Sequence, residues 1–151
     1  MGWSDLLALA VIGCYVIGTA LFLAGALAHR EAVKRLAVRA AALGFVLHTV
    51  TLVAPLATYT LQTLPNLYYL RLLSWSLLLI FFVVWWRLRI EFLALVISPL
   101  ALLLFLWSLS ASGVRVAMPT ALSGLFFSLH IASLFLSIGL LAVAFGAGLI
   151  F

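Results

Sequence analysis

Five long apolar runs, separated by short polar or basic stretches, make up almost the whole chain. They extend over Leu6–Ala28, Ala37–Ala57, Leu70–Trp86, Phe92–Leu109 and Thr120–Phe145. About 20 apolar residues cross the hydrocarbon core of a bilayer as a helix. The pattern therefore predicts an all-α polytopic transmembrane bundle of about five spans, forming one domain over residues 1–151. Barrel strands would instead show short alternating segments. The first run has no basic stretch before it and basic residues after it, so it reads as a retained span and not as a signal peptide.

The breaks between runs orient the chain. His29, Arg30, Glu31, Lys34, Arg35 and Arg39 follow the first span, and Arg87, Arg89 and Glu91 follow the third. Only Arg71 and Arg115 fall on the other side. Basic residues collect on the cytoplasmic side, which puts the N-terminus outside and the C-terminus inside. Tyr59, Tyr68 and Tyr69 fit an interfacial aromatic belt in the outer connection 58–70, and Arg71 snorkels outward from the start of span three. Glu91 is placed to pair with Arg87 at the surface. Pro99 predicts a kink in span four, and Pro119 suits the first turn of span five. Within span one, Ala20, Ala24 and Ala28, with Gly18 and Gly25 nearby, form a seam of small side chains that lets another helix approach closely.

Composition narrows the class. The chain is 68% hydrophobic and 7% charged, with a mean hydropathy of +1.40, so its solvent is lipid. The net charge of +5 is explained by topology and needs no nucleic-acid partner. A single cysteine, Cys14, excludes an internal disulfide and a multi-cysteine metal site, and reads as a packing residue. No nucleotide loop, catalytic triad or pair of carboxylates is present. A transporter reading lacks a charged intramembrane site and a clear inverted repeat.

The chemistry that remains lies in two intramembrane imidazoles. His29 sits in a polar loop and needs no role beyond solvation. His48 shares a helix face with Gly44 and Thr51, and His130 shares one with Ser123, Ser133 and Ser137. His48 is nine residues beyond Arg39, roughly 13 Å into the membrane, and His130 is eleven beyond Pro119, roughly 16 Å from the other side. Both then approach the midplane, where ionisable groups usually turn to the bundle interior. Two imidazoles at one level, facing one cavity, would supply ligands to a haem iron. Ser133, Ser137 and Thr51 would serve as hydroxyls that orient the rings. The alternative is structural: each ring hydrogen-bonds a neighbouring helix and holds the bundle together.

Several stretches resemble the cytochrome c assembly family of CcsA-like haem-handling proteins. Leu64-Pro65-Asn66-Leu67-Tyr68 followed by Leu73-Ser74-Trp75 is similar to that family's outer loop and next span. Ile97-Ser98-Pro99-Leu100-Ala101-Leu102-Leu103 resembles the span after it, and Leu129-His130-Ile131-Ala132-Ser133 its histidine-bearing helix. Phe45-Val46-Leu47-His48-Thr49 resembles the corresponding helix of the HemX- and YpjD-like branch. The resemblance covers most of this chain, but only the N-terminal part of such proteins. It implies a haem-binding protein of the bacterial inner membrane that holds a b-type haem by an axial histidine for delivery to apocytochrome c. His130 would be an axial ligand and His48 a second candidate.

The chain departs from that pattern in three places. Tyr69 stands where the family has an acid, the tryptophan-rich haem-cradling segment is absent, and so are the later histidines. The chain then reads as a short member, a fragment or one half of a split protein. Iron ligation would take His48 with His130, or a nitrogen from another membrane subunit or a C-terminal half. By itself the chain carries no bond-making chemistry, though it fits a component of a haem lyase system. The competing expectation is an accessory or regulatory membrane subunit with structural histidines.

Overall fold

A computed structural model describes residues 2–57, 66–88, 93–110 and 125–149. Among them are α1 (Trp3–Leu27), α2 (Glu31–Val53), a 3-10 turn (Ala54–Ala57), α3 (Asn66–Leu88), α4 (Leu93–Ser110) and α5 (Leu125–Gly148). No strand occurs among the described residues. The chain is an all-α bundle, and α1, α2 with its 3-10 turn, α3 and α5 are each long and apolar enough to cross a membrane. The fourth helix, α4, is apolar but shorter: its 18 residues reach about 27 Å. Large apolar side chains are exposed around the bundle, as at Leu141 (70%), Leu103 (63%) and Val46 (59%). Lipid, not water, is the solvent such a surface requires, which makes this an integral membrane protein.

The helices overrun the expected spans, most clearly at α2. It begins at Glu31, where a polar loop was expected up to about residue 37. The basic stretch is helical because Glu31 sits favourably at the positive helix start and its carboxylate pairs with Lys34 Nζ at 2.8 Å. Likewise α3 starts at Asn66, so Tyr68 and Tyr69 stand on its first turns and not in a connection. Pro119, Arg115, Ser123 and Glu91 lie outside the described residues.

The turn between α1 and α2 is unusually tight. Ala28 caps α1, the Arg30 N–H donates to the Gly25 carbonyl, and the His29 N–H donates to that of Ala26. This is a Schellman closure, which requires a left-handed residue at His29, and its φ is 51°. Glycine is the usual occupant. Histidine tolerates that conformation better than most side chains do, and this gives His29 a backbone role.

Beyond the turn, α1 and α2 pair in antiparallel fashion on matching four-three spacings. The buried set on α1 is Val11, Tyr15, Gly18, Phe22 and Gly25. On α2 it is Ala37, Ala41, Gly44, His48 and Thr51, followed by Leu52. Such spacing averages 3.5 residues and keeps one seam facing the partner, as in a left-handed coiled coil. Glycine permits the approach. A Cβ on Gly18 would lie 3.5 Å from the Ala41 backbone nitrogen, whereas one on Gly44 would come within 2.6 Å of the Tyr15 ring. Ala20, Ala24 and Ala28 do not form the expected seam, because all three are exposed. Glycine approaches more closely than alanine, and the face holding Gly18 and Gly25 won the interior.

Hydrogen bonds then tie α1–α4 together. Thr19 and Ser98 hydroxyls meet at 2.7 Å between α1 and α4. The Trp75 indole N–H donates to Thr49 Oγ1 at 2.9 Å between α3 and α2, with the Trp75 ring stacked on Phe45 at 5.3 Å. Ser74 donates to the Ala101 carbonyl at 2.7 Å between α3 and α4. None of these bonds reaches α5. That helix packs on α3 and α4 through Gly139 against Ile80 and Gly146 against Leu93 and Val96. The Trp75–Thr49 pairing also brings Arg87 of α3 to the end that holds Lys34, Arg35 and Arg39 of α2. Charge therefore gathers at one end of the bundle.

Candidate functional site

The buried seam of α2 ends in a cluster of three rings. His48 is fully buried, and its Nδ1 lies 2.9 Å from the Tyr15 hydroxyl. The two rings meet edge to face at 5.9 Å. Phe105 of α4 closes the other side, 4.6 Å from the imidazole at 71° and 6.4 Å from Tyr15 at 83°. These edge-to-face geometries are the ones aromatic pairs prefer. Three helices thus each contribute one ring to a packed unit in the bundle centre.

One atom in that unit is unsatisfied. His48 Nε2 is buried and has no hydrogen-bond partner among the described residues. Leaving such a group unmatched costs about 1–3 kcal/mol. When Nδ1–H donates to the Tyr15 oxygen, Nε2 presents a free lone pair, the arrangement of a metal-ligating histidine fixed through its other nitrogen. When Tyr15 donates instead, Nε2 carries the ring proton, and the backbone of Arg71 on α3 is the polar group beside the imidazole. The chemistry of His48 therefore suits a metal ligand, but the space beside it is filled by Tyr15 and Phe105. A porphyrin cannot reach this ring as it is packed.

His130 has the opposite surroundings. It is exposed, together with Ser133 and Ser137. At about 3.6 residues per turn these three lie on the side of α5 directly opposite Gly139, Ala142 and Gly146, which face the bundle. The expected inward orientation of this imidazole is thus reversed. Small residues let α5 sit close against Ile80, Leu93 and Val96, and that contact fixed the rotation of the helix. The side chains of Leu125–Ser128 lie outside the described set.

Helix register shows how far apart the two histidines stand in depth. His130 is nine residues before Gly139, and Arg71 is nine before Ile80, so the two share a level. His48 adjoins Thr49, which bonds Trp75, four residues beyond Arg71 and about 6 Å deeper. The depths are about a helix turn apart. The faces differ, however, and the two rings do not line a common cavity: His48 is enclosed among α1, α2 and α4, and His130 looks outward from α5.

The proposed orienting hydroxyls also bond elsewhere. Thr51 Oγ1 donates to the His48 backbone carbonyl at 2.7 Å, and Ser133 Oγ to that of His130 at 2.8 Å. Both are bonds within one helix, and neither touches an imidazole. Ser137 is exposed. The residue that does orient a ring, Tyr15, is absent from the sequence expectation. Its signal was a tyrosine in mid-span, away from the interface where that residue usually sits. Phe105 had no distinguishing signal at all.

The fold and these sites define a helical integral membrane protein with one enclosed and one outward-facing imidazole. No protein-family model, curated protein or solved structure matches the chain. Among the described residues no group of three or more His, Cys, Asp or Glu side chains forms a metal cluster.

Proposed function

We propose that the chain is a haem-handling protein of the bacterial inner membrane, related to the cytochrome c assembly proteins. In this reading His130 offers an axial nitrogen at a site completed by another membrane element. The observation that carries it is the outward face of α5, where His130, Ser133 and Ser137 stand exposed opposite the packed side. A histidine and hydroxyls facing acyl chains are costly, and a partner helix or a bound amphiphile relieves that cost. A porphyrin has room there, which it lacks beside His48. When bound, the b-type haem would supply its iron for coordination and its vinyl groups for later attachment to apocytochrome c. This chain's part is to hold and orient, with Tyr15 and His48 keeping the helices in register.

The test is an absorbance spectrum of the complex purified from its membrane. A Soret band that is strongly reduced in His130→Ala and retained in His48→Gln supports the assignment. Colourless protein that takes up no added haem, alone or with its co-purifying partners, overturns it.

A second reading is favoured by the bond between Tyr15 and His48, which makes one of the two histidines structural. The chain would then be an accessory or regulatory subunit whose α5 face docks a partner without haem. A stoichiometric partner that remains bound in haem-free material and is lost in Ser133→Leu/Ser137→Leu would support this second reading.

A further inference from the structure

Arg71 is the charge that the histidine-based reading leaves unused. It sits within an apolar span of α3, at the end of the bundle away from the α1–α2 turn. The residue is half-buried. Its Nε lies 3.5 Å from the Ser108 hydroxyl oxygen, and its guanidinium carbon is 5.8 Å from the centre of the Phe105 ring. Ser108 is itself fixed, because its hydroxyl donates to the Phe105 carbonyl at 2.6 Å. The lone pair it turns to Arg71 is therefore preset. An aromatic face and a serine oxygen thus hold the stem side of the fork and leave its terminal N–H groups without an acceptor among the described residues.

Among the described residues no carboxylate balances this charge. The two acids among the described residues are engaged elsewhere: Glu31 with Lys34, and Asp5 with the Gly2 N–H at 2.8 Å. Tyr68, one turn earlier, uses its hydroxyl on the Leu52 carbonyl at 3.0 Å. A planar guanidinium with its terminal edge free, held at the end of a span, is matched by the oxygens of a phosphate or carboxylate. Its depth favours an oxyanion that belongs to an amphiphile. Exposed Leu106 and Trp107, just before Ser108 on α4, offer apolar surface for the attached chain.

We infer that Arg71, oriented by Ser108 and Phe105, is a binding site for the phosphate of an anionic phospholipid at this end of the bundle. The inference does not depend on haem binding. Arg71 lies on the side of α3 opposite Ile80, and therefore away from α5.

The test is native mass spectrometry of the full chain released from detergent, with phosphatidylglycerol or phosphatidylcholine added. One phosphatidylglycerol should survive activation in preference to phosphatidylcholine. Its apparent affinity should fall about tenfold in Arg71→Gln and less in Arg71→Lys. Arg39→Gln, at the basic end, should remove only weak additional lipids. Ser108→Ala should give a smaller loss in the same direction, and it decides the matter if the Arg71 variants lose helicity. If millimolar inorganic phosphate displaces the retained lipid and itself remains bound, the site is an oxyanion site and the free ion its source. Equal retention of both lipids, or retention unchanged in Arg71→Gln and Ser108→Ala, overturns the inference and leaves Arg71 as a cation that only snorkels to water.

Discussion

The two intramembrane histidines occupy opposite kinds of place. His48 is locked into a three-ring unit by a 2.9 Å bond to Tyr15 and by Phe105 at 4.6 Å. His130 stands on the open face of a helix that touches the bundle through glycine and alanine. One imidazole is thus part of the scaffold, and the other is presented by it. The difference shows why depth alone is a poor guide to role. Both rings lie within about a turn of one another along the membrane normal, yet one has no free surface and the other is exposed.

The largest break in this comparison is expected at His48→Ala. It leaves a cavity between α1, α2 and α4 and strands the Tyr15 hydroxyl, costing on the order of 2–4 kcal/mol. Reversible unfolding in mixed micelles, read by helicity, measures that loss. An unchanged midpoint would mean that the ring cluster contributes nothing to holding the helices. Next in size is Gly44→Ala, whose new Cβ would fall 2.6 Å from the Tyr15 ring and 2.9 Å from Cys14 Cβ. Aromatic rings cannot yield as a flexible chain end does, so overpacking costs about 1–3 kcal/mol. The same titration checks it. The smallest effect is expected at His130→Ala in the isolated chain, within about 0.5 kcal/mol, as for other exposed positions. A loss comparable to that of His48→Ala would place His130 in the scaffold and remove the distinction.

The α1–α2 hairpin was the most legible part of the sequence. Gly44, His48 and Thr51 were expected on one face, and all three are buried there. The basic breaks separated the spans correctly, although α2 starts six residues earlier, inside the charged stretch, because Glu31 and Lys34 support a helix start. Small residues do form the α1 seam, but at Gly18 and Gly25, while Ala20, Ala24 and Ala28 face out. Tyr15 was readable as an oddity, a polar aromatic in mid-span, but nothing in the chain named His48 as its partner 33 residues away.

By itself, the sequence determined the solvent, the helical class and the approximate place of each helix along the chain. Those follow from run length, from charge at the boundaries and from the impossibility of leaving backbone groups unpaired in lipid. Only the tertiary structure decided which face of each helix turns inward. In water an apolar stripe announces the buried side. In a bilayer the surroundings are as apolar as the core, and large apolar side chains recur all around α4 and α5, so no apolar stripe marks their buried side. Close approach at Gly139 and Gly146 settled the rotation of α5, and with it the direction in which His130 points.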